Sequence, residues 1–355
     1  MSINEKPRKK IFRDRGRFFI EVILVFIGIF LFSLMPRLLL PELVDENSVY
    51  YGPLYFLLKA ITYFLAIPIF LLLTNFILEW QKRKVILEED INPAKSHLKL
   101  YRLTTSNFKY QLLYGILILF ILFIPLDFII YLLLPGTIDY TIESLTYETT
   151  LNNYLLEPDY LIFLLSVLVI QISVGIYEET LARGFIAKRG SDFFQKNSAV
   201  IISSLYFGLG HFAYFFNPIS ANYPLWYPLV WFTQTFLVAI ILALLILRKK
   251  WIFPLIFAHA FNNIISAHVL WNHPNPFIPF SLYLYIPLLI ISIVLFIWQF
   301  SEIKSAVRIG LREFRKYFKN NKKIEESTSD KYLRILIDIF IGLLIFILGF
   351  FLIPI

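Results

Sequence analysis

The chain has no cysteine, which excludes disulfides, a thiolate nucleophile and any cysteine-built zinc site. Charge is scarce as well. Only 16% of the 355 residues are Asp, Glu, Lys or Arg, against about a quarter in an ordinary soluble domain. No His-Glu-x-x-His, Gly-x-Ser-x-Gly, P-loop or dinucleotide fingerprint is present, so the common zincin, serine-hydrolase and nucleotide-binding routes have no sequence support. There is no internal repeat and no low-complexity tract. The stretch 136–159 carries Asp139, Glu143, Glu148, Glu157 and Asp159 with no Lys or Arg at all.

What is present is hydrocarbon. The chain is 58% hydrophobic, its mean hydropathy is +0.69, and apolar runs of about twenty residues recur along its length, as membrane-spanning helices require. A transmembrane β-barrel would instead show short alternating segments. The expected fold is all-α, a polytopic transmembrane bundle of eight to nine spans. Nine are read, at 18–36, 54–78, 110–135, 160–185, 198–217, 225–247, 252–271, 281–300 and 334–353. The first follows the basic segment Lys6–Arg17 and lacks a small-residue cleavage site, so it is taken as a retained span.

All but two of the 33 Lys and Arg residues, Arg37 and Lys59, fall in alternate segments: Lys6–Arg17, Lys82–Lys109, Arg183–Lys196, Arg248–Lys250 and Lys304–Arg334. The positive-inside rule then places the N-terminus in the cytoplasm and the C-terminus outside. The net charge of +8 is thereby read as topology and not as nucleic-acid binding. Trp226, Tyr227 and Trp271 outside, with Trp80, Trp251 and Trp298 inside, fit aromatic belts. Glu302–Asn320 places Ile303, Val307, Leu311, Phe314 and Phe318 at helical spacing among bases, the pattern of an amphipathic helix on the inner surface or of a topogenic linker. Four regions follow: a basic N-terminus 1–17, accessory helices 18–159, a core 160–271, and two further spans with the basic linker, 272–355.

Three polar groups interrupt the spans. Leu161–Tyr177 is almost wholly apolar and then reads Glu178-Glu179-Thr-Leu-Ala-Arg183, although each charge costs about 2.5–3.5 kcal/mol to insert. Glu179 and Arg183 are four apart in the favourable order for an ion pair. Glu178 points about 100° away and has no partner on its own helix, which makes it the candidate general base. The plain alternative is that both acids lie at the membrane boundary, balanced by Arg183, Lys188 and Arg189. His211, after Phe207-Gly-Leu-Gly, reads equally as a satisfied core histidine, with Gly208 and Gly210 serving helix packing. His259 and Asn263 share one helical face and suit two donors converging on one oxygen, or an interhelical hydrogen-bond pair. Asn262 is the offset competitor. Counted from the flanking bases, Glu178 and His259 both lie about 13–15 Å deep, with His211 somewhat deeper. Asp127 reads as a cap or packing residue near the outer side, His268 and His273 as solvated histidines, and His97 as part of a basic inner loop.

Glu178-Glu179-x-x-x-Arg183, Phe207-x-x-x-His211 and His259-x-x-x-Asn263, in that order, resemble the three motifs of the CAAX prenyl protease and bacteriocin-processing family of intramembrane proteases. The resemblance covers about 170–265. It implies a four-helix catalytic core and peptide-bond hydrolysis in the membrane, with Glu178 as general base and His211 helping to hold the attacking water. His259 and Asn263 would bind that water or the oxyanion, and Glu179 and Arg183 would support. No cofactor is required. A zinc ion held by Glu178, His211 and His259 is the alternative to a metal-free glutamate mechanism, which is slightly preferred. The implied partners are a peptide or a membrane-anchored protein, prenylated or not, and the lipid bilayer, with no nucleic acid. The implied location is the plasma membrane of a prokaryote. A transporter or channel with a buried Glu/His relay, and a noncatalytic immunity-type protein, are the competing readings. The clustering of polar groups on three spans counts against the first, and the intact motif set against the second.

Overall fold

The computed structural model describes residues 7–78, 92–146, 149–212, 224–273 and 280–353, in which all regular structure is helical. The helices are α1 (Pro7–Leu43), α2 (Tyr51–Leu78), a short α3 (Pro93–Leu98), α4 (Phe108–Leu133), α5 (Thr137–Thr146), α6 (Thr149–Asn152), α7 (Tyr160–Phe193), α8 (Lys196–Phe212), α9 (Trp226–Lys249), α10 (Phe253–Asn272), α11 (Phe280–Trp298), α12 (Phe300–Tyr317) and α13 (Thr328–Leu352). Eight of these, namely α1, α2, α4, α7, α9, α10, α11 and α13, are long and apolar enough to cross a membrane. The ninth expected span, 198–217, begins as α8, of which 17 residues are described. Trp80 lies outside the described residues.

Boundaries follow local chemistry. Asp159 caps α7 by accepting from the amides of Leu161 and Ile162 at 2.8 and 3.0 Å, which satisfies two of the orphan N–H groups of a helix start. Ser327 and Asp330 form a capping box at α13, so this helix starts earlier than the apolar run suggests. The basic segment before the first span is itself helical and belongs to α1. In α4 two π-helical stretches, Leu119–Phe123 and Ile129–Leu133, flank Pro125, whose missing N–H interrupts the regular ladder.

The interior is built around α8, which packs on α9, α13 and the far end of α7, and around α10, which packs on α7 and α4. Burial ranks the spans: 61% of the apolar window of α10 is inside the bundle, against 11% of that of α11, so α10 is central and α11 peripheral. A Cβ on Gly175 of α7 would meet the Ile256 carbonyl oxygen at 3.1 Å and Ala260 Cβ at 3.3 Å. Small residues at this crossing let α7 and α10 approach closely.

The basic segments meet at one end of the bundle. Arg15 pairs with Asp338 at 2.6 Å and donates to Ser198 at 3.1 Å, Arg189 pairs with Glu21 at 2.5 Å, Asn197 donates to the Glu313 carbonyl, and the Ile252 amide donates to the Leu100 carbonyl. The acidic stretch lies at the other end, where Trp271 donates to the Glu157 carbonyl and Asn153 to that of Asn47. Tyr227 is no belt residue: it is buried and shares a hydrogen bond with Thr141.

Arg15 and Asp338 are both almost fully buried. Removing one partner of such a pair costs about 3–5 kcal/mol, because the other charge is left buried and alone. Arg15→Ala should therefore lower the thermal unfolding midpoint of the detergent-solubilised protein sharply. Lys316→Ala, at an exposed pair with Glu313, should shift it little; equal shifts would refute the assignment. The absence of native cysteine makes the sidedness directly testable. Ser106→Cys at the basic end should be modified by a membrane-impermeant thiol reagent only after cells are permeabilised. Glu46→Cys at the other end should react in intact cells, and the reverse pattern would invert the orientation.

Candidate active site

The segment of α7 that follows the two acids, Thr180–Ala187, is π-helical and wholly buried. π-Helical segments inside α-helices are rare and concentrate at functional sites. Three side chains from other elements hold this one. Tyr101 donates to Thr180 Oγ1 at 2.6 Å, Ser203 to the Ala182 carbonyl at 2.7 Å, and His97 Nδ1 to the Gly184 carbonyl at 3.1 Å. A Cβ at Gly184 would stand 3.1 Å from the His97 ring, so the glycine makes room for the imidazole. His97 is thus no loop histidine but is 2% exposed.

Glu179 is fully buried. Its Oε1 lies 3.2 Å from Arg183 Nη1 and 2.9 Å from His259 Nδ1. The arginine contact is an ion pair by distance, but no guanidinium nitrogen of Arg183 has a hydrogen bond of good geometry; we take it as a charge contact. The guanidinium lies 3.9 Å above the Phe207 ring centre, a cation–π arrangement. Since a carboxylate can only accept, His259 carries a proton on Nδ1, and in the neutral ring Nε2 is then the lone-pair nitrogen. That nitrogen is 3.6 Å from Glu178 Oε2, which is buried and takes no hydrogen bond from the described residues. The other Glu178 oxygen accepts from Tyr177 OH at 3.3 Å.

His211 donates from Nδ1 to the Phe207 carbonyl at 3.0 Å, so its Nε2 is also the lone-pair nitrogen. Its ring stands 4.7 Å from that of Phe207, whose other neighbour, the His259 ring, is at 6.1 Å. The charges of Glu178 and Arg183 act on His211. Arg183 of α7, His211 of α8 and His259 of α10 therefore gather around Phe207, with Glu178 and Glu179 beside His259. Asn263 is half-buried one helical turn beyond His259. Asn262 turns away and stands beside Asp127. Asp127 is buried and accepts from Ser266 at 2.9 Å and Tyr285 at 3.1 Å, which ties α4, α10 and α11 together as a packing residue should. His268 lies half-buried in α10, not in a loop: it donates to the Ile264 carbonyl and lies edge-on to Phe163. His273 pairs with Asp139 at 2.7 Å at the acidic end. Gly208 serves packing, its Cβ position being 3.0 Å from Phe236 Cβ, whereas Gly210 faces open space.

Among the described residues no three His, Asp or Glu side chains are grouped to hold a metal ion. Glu178, His211 and His259 as they stand do not form a ligand set for zinc, so no chemical step is derived through one. Sequence reasoning did not single out Tyr177, Tyr101, Ser203 or His97 as parts of the site. Only Tyr177, adjacent to the acids, carried a positional hint.

In a polytopic helical protein, Glu and His side chains gathered inside the bundle are the kind of polar groups that mark a functional site. Residues 160–265 match the model of the type II CAAX prenyl endopeptidase Rce1-like family, from the start of α7 to the middle of α10, and the match includes all three motifs. Over this segment, less than a third of the chain, the sequence is similar to that of a CAAX-type endopeptidase. No curated protein and no solved structure matches the chain.

Burial pushes the His97 imidazole down from its ordinary 6.5 to about 4, with Lys188 adding to the effect against the Gly184 hydrogen bond. The unfolded chain then takes up this proton at a higher pH than the folded one. Stability should fall as pH drops from about 6.5 to about 4, by roughly 3 kcal/mol from this group. In His97→Asn the amide still donates to Gly184 but does not titrate, so the acid dependence of unfolding should flatten over that range. An unchanged slope would show that His97 is not the group responsible.

Proposed function

We propose that the chain is an intramembrane endopeptidase of the CAAX-processing type, in which Glu178 activates water for attack on a peptide bond. One observation carries the reading. Glu178 Oε2 and His259 Nε2, both acceptors when the imidazole is neutral, face each other at 3.6 Å with no donor to Oε2 among the described residues. A water molecule donating one hydrogen to each satisfies both and keeps an oxygen lone pair for the substrate. As this oxygen bonds to the scissile carbonyl carbon, its proton passes to Glu178, the general base. The developing oxyanion is stabilised by the amide of Asn263, and His211 Nε2, also a lone-pair nitrogen, shares with His259 the second hydrogen of the water from the side of α8. Collapse of the tetrahedral intermediate breaks the C–N bond, and Glu178 returns the proton to the departing amine. Glu179 and Arg183 support by fixing the tautomer and direction of His259. The substrate is a membrane-anchored protein or peptide, prenylated or not, reached in the plasma membrane of a prokaryotic cell from the cytoplasmic side.

Comparing membrane proteomes of cells carrying wild type and Glu178→Gln should reveal a protein that accumulates uncut. With that substrate, Glu178→Gln should reduce turnover by about 10²–10⁴ while leaving folded yield intact, and Asn263→Ala by about 10²–10³. Glu179→Gln should act first on folded yield, since it strands Arg183 at 0% exposure. Full activity in Glu178→Gln ends the reading. Loss of wild-type activity to a chelator, restored by zinc, would replace the metal-free mechanism with a metal-assisted one.

A further inference from the structure

We propose that α12 and the end of α11 form a binding site for an anionic phospholipid. The two helices enclose a groove of about 940 Å³. Its floor is apolar, with Phe296, Phe300, Val307 and Leu311, and its rim carries Lys304, Arg308, Arg312, Arg315 and Lys319. The apolar residues are not covered: Phe300, Val307 and Leu311 are 50%, 55% and 53% exposed. Among the described residues none of those five cations has an acidic partner, whereas Lys316 is taken by Glu313 at 2.7 Å.

The shelf is fixed in place. Asn197 of α8 donates to the Glu313 carbonyl at 2.6 Å, Tyr317 to Asp338 at 3.1 Å, and Arg334 of α13 to the Tyr317 carbonyl at 2.7 Å. A helix held this way presents its cations at a set height beside a membrane-spanning helix whose outer face, including Ile290, Val294 and Ile297, is open to lipid. A phosphate diester on the arginines with an acyl chain along the aromatic floor satisfies both halves of the groove. A basic polypeptide would be repelled, and an acidic one would leave the apolar floor uncovered.

Native mass spectrometry of the full-length protein in neutral detergent tests this without any reference to catalysis. Phosphatidylglycerol should be retained at least about tenfold more tightly than phosphatidylcholine with the same chains. Neutralising Arg308, Arg312 and Arg315 together to Gln should weaken phosphatidylglycerol about a hundredfold, at about fivefold per cation, and leave phosphatidylcholine unchanged. Lys95→Gln, Lys99→Gln and Arg102→Gln combined, which remove the same charge elsewhere at the basic end, should cost less than tenfold. Leu311→Ser should weaken the lipid severalfold if the chain lies on the floor. Equal losses in the two triple variants, equal retention of the two lipids, binding of inorganic phosphate as tight as that of the lipid, or no effect of Leu311→Ser would each overturn the proposal.

Discussion

One buried carboxylate, Glu179, organises the centre of this molecule. Alone in a low-dielectric interior it would be very costly. It is stabilised by Arg183 on its own helix and His259 on α10, and each of these buried groups in turn needs it. The contact with His259 sets more than stability. It determines which ring nitrogen carries the proton and aims the other at Glu178. Two adjacent acids thereby take different neighbours: Glu179 Oε1 meets Arg183 and His259, while Glu178 meets Tyr177 OH and the far side of the His259 ring. The physical difference between them is rotation: consecutive helical side chains diverge by about 100°, so only one can face the arginine.

That arrangement depends on a backbone that is not a regular α-helix. A π-helical turn shifts the hydrogen-bond ladder and leaves groups needing outside partners. Ser203 of α8 and His97 of α3 donate to two of its carbonyls, and Tyr101 donates to the Thr180 hydroxyl. The short α3 segment, outside the family-matched residues 160–265, is thus a structural part of the site. Gly175 and Ala260 act on the same geometry from the other side, by letting α7 and α10 come close enough for the carboxylate to reach the imidazole.

The architecture was largely legible because a membrane imposes it: backbone groups must be satisfied internally, so long apolar runs can only be helices. The Glu179–Arg183 pair was legible from spacing, and the meeting of α7 with α10 from matched depth. The hydrogen bond from Tyr177 to Glu178 was not, because adjacent residues on a helix do not ordinarily face each other. His97 was misread for a related reason. Its neighbours Lys95 and Lys99 mark an exposed segment, but a single residue on the inward face of a short helix leaves no periodic signal. For His268, a polar residue near a helix end, the spacing did not show the aromatic rings that stand beside it. Tyr227 shows the converse: an aromatic at a span boundary suits an interfacial belt, yet its hydroxyl found a buried partner in Thr141.

The distribution of charge follows the order of assembly. Helices enter the bilayer before they pack against one another, so the topological signal is read from all flanking bases while they are still separate. Packing then divides them. Arg15, Arg183 and Arg334 become buried and matched with Asp338, Glu179 and Glu326, and from that point they act as structural joints. The cations on the exposed face of α12 keep their charge at the surface. The same residue type therefore serves orientation first and cohesion or surface recognition later, and which later role it takes is decided by whether a carboxylate from a distant part of the chain arrives beside it. This accounts for a net charge of +8 in a protein whose interior holds several matched ion pairs: the excess lies where no acid was supplied.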